Sequence, residues 1–188
     1  MRFTYGYSDW SIRWWQWISS IPRQSNPAFD LTGKFVYNSQ NIDDVTFLCQ
    51  RIEGRGNIPR RKSNLPYGNS FFMPTINWIS IYGIDGIDDR ELIAIAKEKM
   101  NVIDTLEIRI NGFYLTSELM KNRVLSTFFD IDLPENNIFG LDEGRRRCIS
   151  DGYWIFFQSS SDRLIVSSNS SCSSGITKIG VEYHLSKV

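Results

Sequence analysis

The spacing of apolar side chains predicts a helix near the start of the chain. Residues 8–21 carry apolar side chains that recur at helical intervals, at Trp10, Trp14, Trp17, Ile18 and Ile21. Ser8 or Asp9 is expected to cap the first turn, because a short side-chain oxygen accepts a hydrogen bond from a free backbone N–H. Pro22 is expected to end the helix, since proline cannot continue it. Trp15 lies off the apolar face.

Further along, the chain holds one more helical stripe and then changes to a period of two. Residues 88–100 are predicted to form a second helix, whose buried stripe consists of Leu92, Ile93, Ala96 and Met100. Asn111-Gly112 is a strong hairpin signal, because both positions tolerate a positive φ. Pro74 is expected to interrupt its strand. Apolar runs predict short strands at residues 45–49, 70–81, 105–110, 113–115, 125–133, 153–157, 163–167 and 179–185.

Many short strands separated by turns are typical of a β-sandwich. We therefore predict one mainly β domain over residues 1–188, an antiparallel sandwich of Greek-key or jelly-roll type. It would carry the Trp-rich helix at its N-terminus and the helix at 88–100 as an insertion. Residues 150–154 are predicted to form a tight turn that Asp151 caps. The remaining polar segments are predicted as loops, at residues 23–41, 51–64 and the serine-rich 167–174.

Composition argues against several classes of function. The 188 residues include 21 basic and 21 acidic side chains, so the formal net charge is zero. A dedicated nucleic-acid binder would show a basic excess, and so would a protein held at membranes by charge alone. No apolar run approaches the roughly 18 residues that a membrane span needs. The first residues lack the apolar core of a signal peptide, so we expect either a cytoplasmic protein or an exported one whose leader has been removed.

The sequence holds no metal-binding or redox motif. His184 is the one histidine, and the spacing of Cys49, Cys148 and Cys172 matches neither a zinc site nor a redox pair. We expect no metal ion and no cofactor. The cysteines are expected to be buried free thiols, with a disulfide between Cys148 and Cys172 as the alternative.

The aromatic residues suggest a binding site. We expect Trp14, Trp15, Tyr153 and Trp154 to line a cleft between the N-terminal helix and one sheet, because large aromatic side chains serve ligand clefts as well as cores. The ligand would be a small, partly apolar molecule or a carbohydrate. An alternative is an assembly module that forms a homo-oligomer through the Trp helix.

A further alternative is an acid/base enzyme of hydrolase or lyase type. His184 and Glu182 are two residues apart in a predicted strand and therefore share a face. A neutral imidazole beside a carboxylate suits proton transfer, and Glu135 or Asp151 would be the additional carboxylate partner. The same pair is also an ordinary surface pair on a sheet.

Several motifs resemble those of a family of archaeal and bacterial proteins that are generally exported and have no established activity. The resemblance covers nearly the whole chain and is carried by Tyr5-Gly6-Tyr7-Ser8, Trp14-Trp15-Gln16-Trp17, Leu133-Pro134-Glu135-Asn136-Asn137, Ser150-Asp151-Gly152-Tyr153-Trp154 and Tyr183-His184-Leu185. It implies that the Trp helix, the loop at 134–140, the segment at 150–154 and His184 belong to one pattern. It implies no activity.

Overall fold

Two five-stranded β-sheets pack face to face, and a helix covers the outer face of one of them. The computed structural model describes residues 5–40, 45–52, 57–64, 70–115, 119–173 and 179–187. The β-sandwich with a Trp-rich N-terminal helix, predicted from the sequence, is confirmed.

The helices and strands follow each other along the chain without internal repetition. The helices are α1 (Tyr7–Ser19) and α2 (Asp89–Asn101), and a single 3₁₀ turn spans Arg23–Ser25. The strands are β1 (Val45–Phe47), β2 (Arg60–Asn64), β3 (Ser70–Ile81), β4 (Ile103–Ile110), β5 (Phe113–Tyr114), β6 (Arg123–Leu125), β7 (Phe129–Leu133), β8 (Gly144–Gln158), β9 (Arg163–Cys172) and β10 (Ile179–Ser186).

The first sheet is built around β8, which pairs with β3 on one side and with both β6 and β7 on the other. Strand β1 pairs with the opposite edge of β3. The second sheet has the order β2-β10-β9-β4-β5. Most pairs are antiparallel, as predicted. The edge pairs β1–β3 and β2–β10 are parallel, which differs from a purely antiparallel sandwich. No hairpin joins the strands of either edge pair, so nothing forces them to run in opposite directions.

Helix α1 forms where the apolar spacing predicts it and packs on the outer face of the first sheet. Trp10, Trp14, Trp17 and Ile18 are all buried there. The cap differs from the expected one: Gly6 precedes the first turn, and its backbone N–H donates to the Asp9 carboxylate over 3.0 Å. A carboxylate in the first turn also complements the positive end of the helix dipole.

Residues 153–157 of β8 are apolar on both faces of the strand, and the fold covers both faces. Tyr153, Ile155 and Phe157 point toward the second sheet and join the core between the sheets. Trp154, the residue between them, points the other way and stacks on Phe72 with ring centroids 5.1 Å apart, beneath helix α1. Alternation along a strand therefore divides neighbouring aromatic residues between two separate cores.

The predicted interruption of β3 at Pro74 is a β-bulge, which shifts the pairing with β8 between Pro74 and Ile76. Proline has no N–H for the ladder, so a bulge is where a strand tolerates it. The extra residue shifts the alternation along the sequence, so even-numbered residues face helix α1 before the bulge and odd-numbered residues face it afterwards. Before the bulge Phe72 faces helix α1, and after it Ile79 does so.

Some segments differ from the predictions. Residues 150–154 are not a turn but the middle of β8, and β2 lies within the predicted loop at 51–64. Most of the serine-rich segment belongs to β9, a strand with neighbours on both sides that impose an extended backbone. Residues 125–133 divide into β6 and β7, which pair with different parts of β8.

Of the two predictions for the cysteines, the structure supports free thiols. Cys49, Cys148 and Cys172 are buried and form no disulfide, so the alternative pairing of Cys148 with Cys172 is not present. Burial raises the pKa of the Cys148 thiol to about 12.

In the part of the chain that the structure describes, neither helix has the length and apolarity to cross a bilayer.

Gly152 of β8 lies so close to β3 that there is no room for a side chain. A β-carbon added there would lie 2.5 Å from the β-carbon of Asn77. We expect Gly152→Ala to lower the free energy of unfolding by about 1–3 kcal/mol, because the buried strand pair must move apart. Urea denaturation measures this.

The matched control is Ser150→Ala on the same face of the same strand. The Ser150 hydroxyl is buried without a hydrogen-bond partner among the described residues, so its removal should change stability by less than about 1 kcal/mol. Equal effects of the two substitutions would contradict the close approach at Gly152.

Candidate functional site

A cavity of about 340 Å³ lies between helix α1 and one edge of the first sheet. Trp14 and Trp15 of α1 contribute to its wall, together with Asn77 and Ile79 of β3. Its other walls come from three loop segments, represented by Gln50-Arg51-Ile52, Ile84-Asp85, and Phe139 with Leu141. The wall is mostly aromatic and aliphatic, with a few polar groups among the apolar ones.

The cavity exists because β1 is short. It pairs only with residues 70–72 of β3, so no described strand covers the later half of that edge of β3. Two side chains close the ends of the uncovered edge. The Gln50 amide donates to the Thr75 carbonyl, and the Asp85 carboxylate accepts from the Ile81 N–H over 2.7 Å.

Trp15 covers the cavity and does not project into solvent. Its side chain is 5% exposed, lies edge-on to Trp14 at 5.0 Å, and stacks on Phe139 at 6.5 Å between ring centroids. Trp14 is fixed by a 2.9 Å hydrogen bond from its indole N–H to the Leu48 carbonyl. The indole left over by the helical pattern is thus buried beneath a loop, beside the cavity.

The loop at 134–141 is shaped by Asn137, which lies within one of the motifs singled out in the sequence. Its amide N–H donates to the carbonyls of Pro134 and Leu141, and its carbonyl accepts from the Phe139 N–H. These bonds hold the loop in a tight curve. The curve brings Phe139 and Leu141 against the cavity.

Four of the lining side chains carry a buried polar atom that has no hydrogen-bond partner among the described residues. They are Trp15 Nε1, Gln50 Oε1, Asn77 Nδ2 and Trp78 Nε1. Buried polar atoms in folded proteins are nearly always paired, and each unpaired one costs about 1–3 kcal/mol. Of the nine such atoms among the described residues, four belong to side chains that line this one cavity.

The structure places the four predicted ligand-binding residues in two groups. Trp14 and Trp15 line the cavity. Trp154 is fully buried in the same aromatic cluster, 5.4 Å from Trp14, and does not reach the cavity wall. Tyr153 faces the opposite side of β8, toward the second sheet. One cleft lined by all four is not formed, because residues 153 and 154 are neighbours in a strand and point to opposite faces.

The three predicted catalytic residues are not brought together. His184 lies on the outer face of the second sheet, where its Nε2 is 2.5 Å from the Glu182 carboxylate. Asp151 is buried in the first sheet and accepts from the Arg123 guanidinium at 2.7 Å. Glu135 is exposed on the loop at 134–141. The acid/base arrangement expected from these residues is not assembled.

Glu182 is held in an ordinary ion pair. Hydrogen bonds from His184 and from Arg60, the latter at 2.6 Å, lower the pKa of the Glu182 carboxyl although partial burial opposes this. His184 and Glu182 therefore form a partly exposed surface pair on the sheet, which is one of the two interpretations that the sequence left open.

A buried arginine holds the segment that leads to Gln50, one of the residues that line the cavity. Arg61 is 0% exposed; its guanidinium donates to the carbonyls of Asp30 and Cys49 and to the Tyr183 hydroxyl, at 2.7, 2.8 and 2.7 Å. Tyr183 in turn donates to the Cys49 carbonyl over 2.7 Å, and burial raises its pKa despite the neighbouring guanidinium. This network fixes Cys49, the residue before Gln50.

Sequence reasoning missed Arg61 because it stands in a basic run typical of solvated loops. Its neighbours Arg60 and Lys62 are exposed, as expected for such a run. The available signal was the alternation itself, since the middle residue of three in a strand points to the opposite face.

We expect Tyr183→Phe to destabilise the fold by about 1–3 kcal/mol, because Arg61 and the Cys49 carbonyl both lose a buried partner. Thermal or urea unfolding measures the effect. Tyr82→Phe, at an exposed tyrosine, is the control and should be nearly neutral. A neutral Tyr183→Phe would contradict the supporting role of the network.

Asp30 organises the loop that packs on β2. Burial alone would raise the pKa of its carboxyl, but the backbone N–H groups of Phe35, Thr32 and Gly33 and the Thr32 hydroxyl outweigh burial and lower it. Gly33 has φ +104°, and a β-carbon there would lie 2.4 Å from the Lys62 carbonyl oxygen. The loop therefore depends on both the carboxylate and the glycine.

Because the folded pKa of Asp30 is lowered, its bonds stabilise the fold above its ordinary pKa, and this contribution is lost as the pH falls through the folded value. We expect Asp30→Asn to destabilise the protein at pH 7 by about 1–3 kcal/mol. The difference from the wild type should shrink below about pH 4. Urea denaturation from pH 7 to pH 2.5 measures it.

Asp142→Asn, at an exposed carboxylate, is the control and should leave the stability at pH 7 nearly unchanged. A difference between Asp30→Asn and the wild type that stays constant or grows in acid would show that the Asp30 charge does not stabilise the loop.

Comparison of the chain with protein-family models, curated proteins and solved structures finds no match. The resemblance to the exported family stays a prediction.

Proposed function

We propose that this domain binds a small, largely apolar molecule in the cavity beside Trp15. The observation that carries the proposal is the coincidence of a cavity of about 340 Å³ with four buried polar atoms on its lining residues that have no partner within the described parts of the chain. Ligand sites are typically mostly apolar cavities of about 300–1,000 Å³ with a few polar groups that orient the ligand.

The composition of the wall favours an apolar body over a carbohydrate. Trp15, Ile79, Phe139 and Leu141 present rings and alkyl groups, and each sugar hydroxyl enclosed among them would need a partner. Most of the lining residues are apolar, so their polar groups are too few for the several hydroxyls of a sugar. An apolar molecule with one or two polar groups matches it better.

The walls are held in place before any ligand arrives. Trp14 donates a hydrogen bond to Leu48, Asn137 fixes its loop, and the floor belongs to the β3–β8 ladder. A preformed site lowers the ordering cost of binding.

The alternative of an oligomer joined through the Trp helix has less support. Trp10, Trp14, Trp15 and Trp17 are all buried within the chain, so the helix displays none of its indoles to a partner. An interface through this helix would need exposed apolar surface.

We expect 2-naphthol to bind to the protein, as measured by isothermal titration calorimetry, and N-acetylglucosamine not to bind. Ile84 lines the cavity and is 59% exposed, so Ile84→Arg should leave the fold intact and weaken 2-naphthol binding about tenfold or more. Ile87→Arg is the matched control, since Ile87 is 72% exposed on the same loop and does not line the cavity.

The proposal fails if 2-naphthol does not bind, if the sugar binds instead, or if Ile84→Arg and Ile87→Arg change the affinity equally. Circular dichroism and unfolding temperatures confirm that both variants are folded.

A further inference from the structure

The cavity runs along main-chain groups of β3 that no described residue pairs with. In an antiparallel ladder, alternate residues bond to the neighbouring strand and the others point away from it. The Tyr82 N–H bonds to Arg147, beside β8, whereas the Ile81 N–H bonds to Asp85 on the other side. By the same alternation, the N–H and C=O groups of Asn77 and Ile79 point away from β8, toward the cavity.

Within the residues that the structure describes, side chains close this edge at both ends but not in its middle. Gln50 occupies the Thr75 carbonyl and Asp85 occupies the Ile81 N–H, as a neighbouring strand would. Between them lie Asn77 and Ile79, with the cavity alongside. An unpaired strand edge is a template for another extended backbone, and it recurs in peptide recognition by strand addition.

The size of the cavity limits what this edge accepts. At roughly 30 Å³ for each water-sized group, about 340 Å³ holds on the order of ten such groups. That space suits one apolar residue with its two flanking amides and is too small for a long strand.

We propose that the ligand carries a peptide-type amide beside an apolar group, as in a short apolar peptide or an amide-blocked apolar amino acid. Its amide pairs with the Ile79 N–H and C=O, and its apolar group lies against Trp15 and Phe139. This inference rests on the proposed function and names the ligand class for the same cavity.

Polar atoms on the lining residues that no described residue pairs with include both a donor and an acceptor. Gln50 Nε2 donates to Thr75 and Ser168, so Gln50 Oε1, which has no partner among the described residues, requires a donor. The Trp15 indole N–H requires an acceptor. An amide supplies both groups, whereas a hydrocarbon supplies neither and a carboxylate supplies acceptors alone.

The test is amide hydrogen exchange followed by ¹⁵N NMR on the whole chain, with N-acetyl-leucine methylamide as the probe. At saturation the Ile79 N–H should exchange about tenfold more slowly or slower still, and its proton should shift downfield. The N–H groups of Trp78 and Ser80, on the β8 side of the ladder, should not change. N-acetyl-leucine methyl ester lacks one amide N–H and should bind about tenfold more weakly.

Binding of 2-naphthol separates the two proposals. It should occupy the cavity and slow exchange at Ile79 less than the amide probe does. If 2-naphthol binds but the amide probe does not, or if ester and amide bind equally, or if Ile79 is not selectively protected, the strand-addition inference is wrong and the proposed function stands. If neither compound binds, both proposals are wrong.

Discussion

The structure depends on covering the first sheet on both faces. Strand β8 is buried on both faces over most of its length and apolar on both over residues 153–157, so a two-layer sandwich alone would leave large apolar side chains in water. Helix α1 removes this exposure by placing its indoles over Phe72 and Trp154, while the second sheet and helix α2 cover the other face. The large aromatic side chains bury more apolar area per residue than aliphatic ones, which suits a single short helix to this task.

The candidate site lies where the covering of the first sheet ends, beside the edge of β3 that β1 does not reach. Helix α1 and the 134–141 loop lie above the sheet, and β1 ends before the later half of β3 is paired. The gap between a covered face and an uncovered edge is bounded by apolar side chains on one side and main chain on the other. Arg61 stabilises the far end of this gap by holding the segment that leads into Gln50.

Local patterns in the sequence predicted the elements that are governed by local physics. The Trp helix, the Asn111-Gly112 hairpin with both φ angles positive, and the last strand were identified correctly. The β9 serines were missed because their extended state comes from strands on both sides. Burial of Arg61 and the cavity itself depend on residues far apart in sequence, and no local period encodes such contacts. Trp14 and Trp15 were nevertheless placed at a cleft, since a surplus of aromatics on one helix is visible without the fold.

The bulge in β3 sets the phase of everything that follows it. It takes up one additional residue before Ile76, and Asn77 and Ile79 face the helix after it. Deleting Thr75 would restore a regular ladder in which Ile76 still pairs with Tyr153, so Asn77 and Ile79 would keep facing the helix. The bulge is therefore the point where β3 tolerates a change of one residue in length, whereas a one-residue slip in a regular part of the strand would turn Trp78 and Ser80 toward the helix.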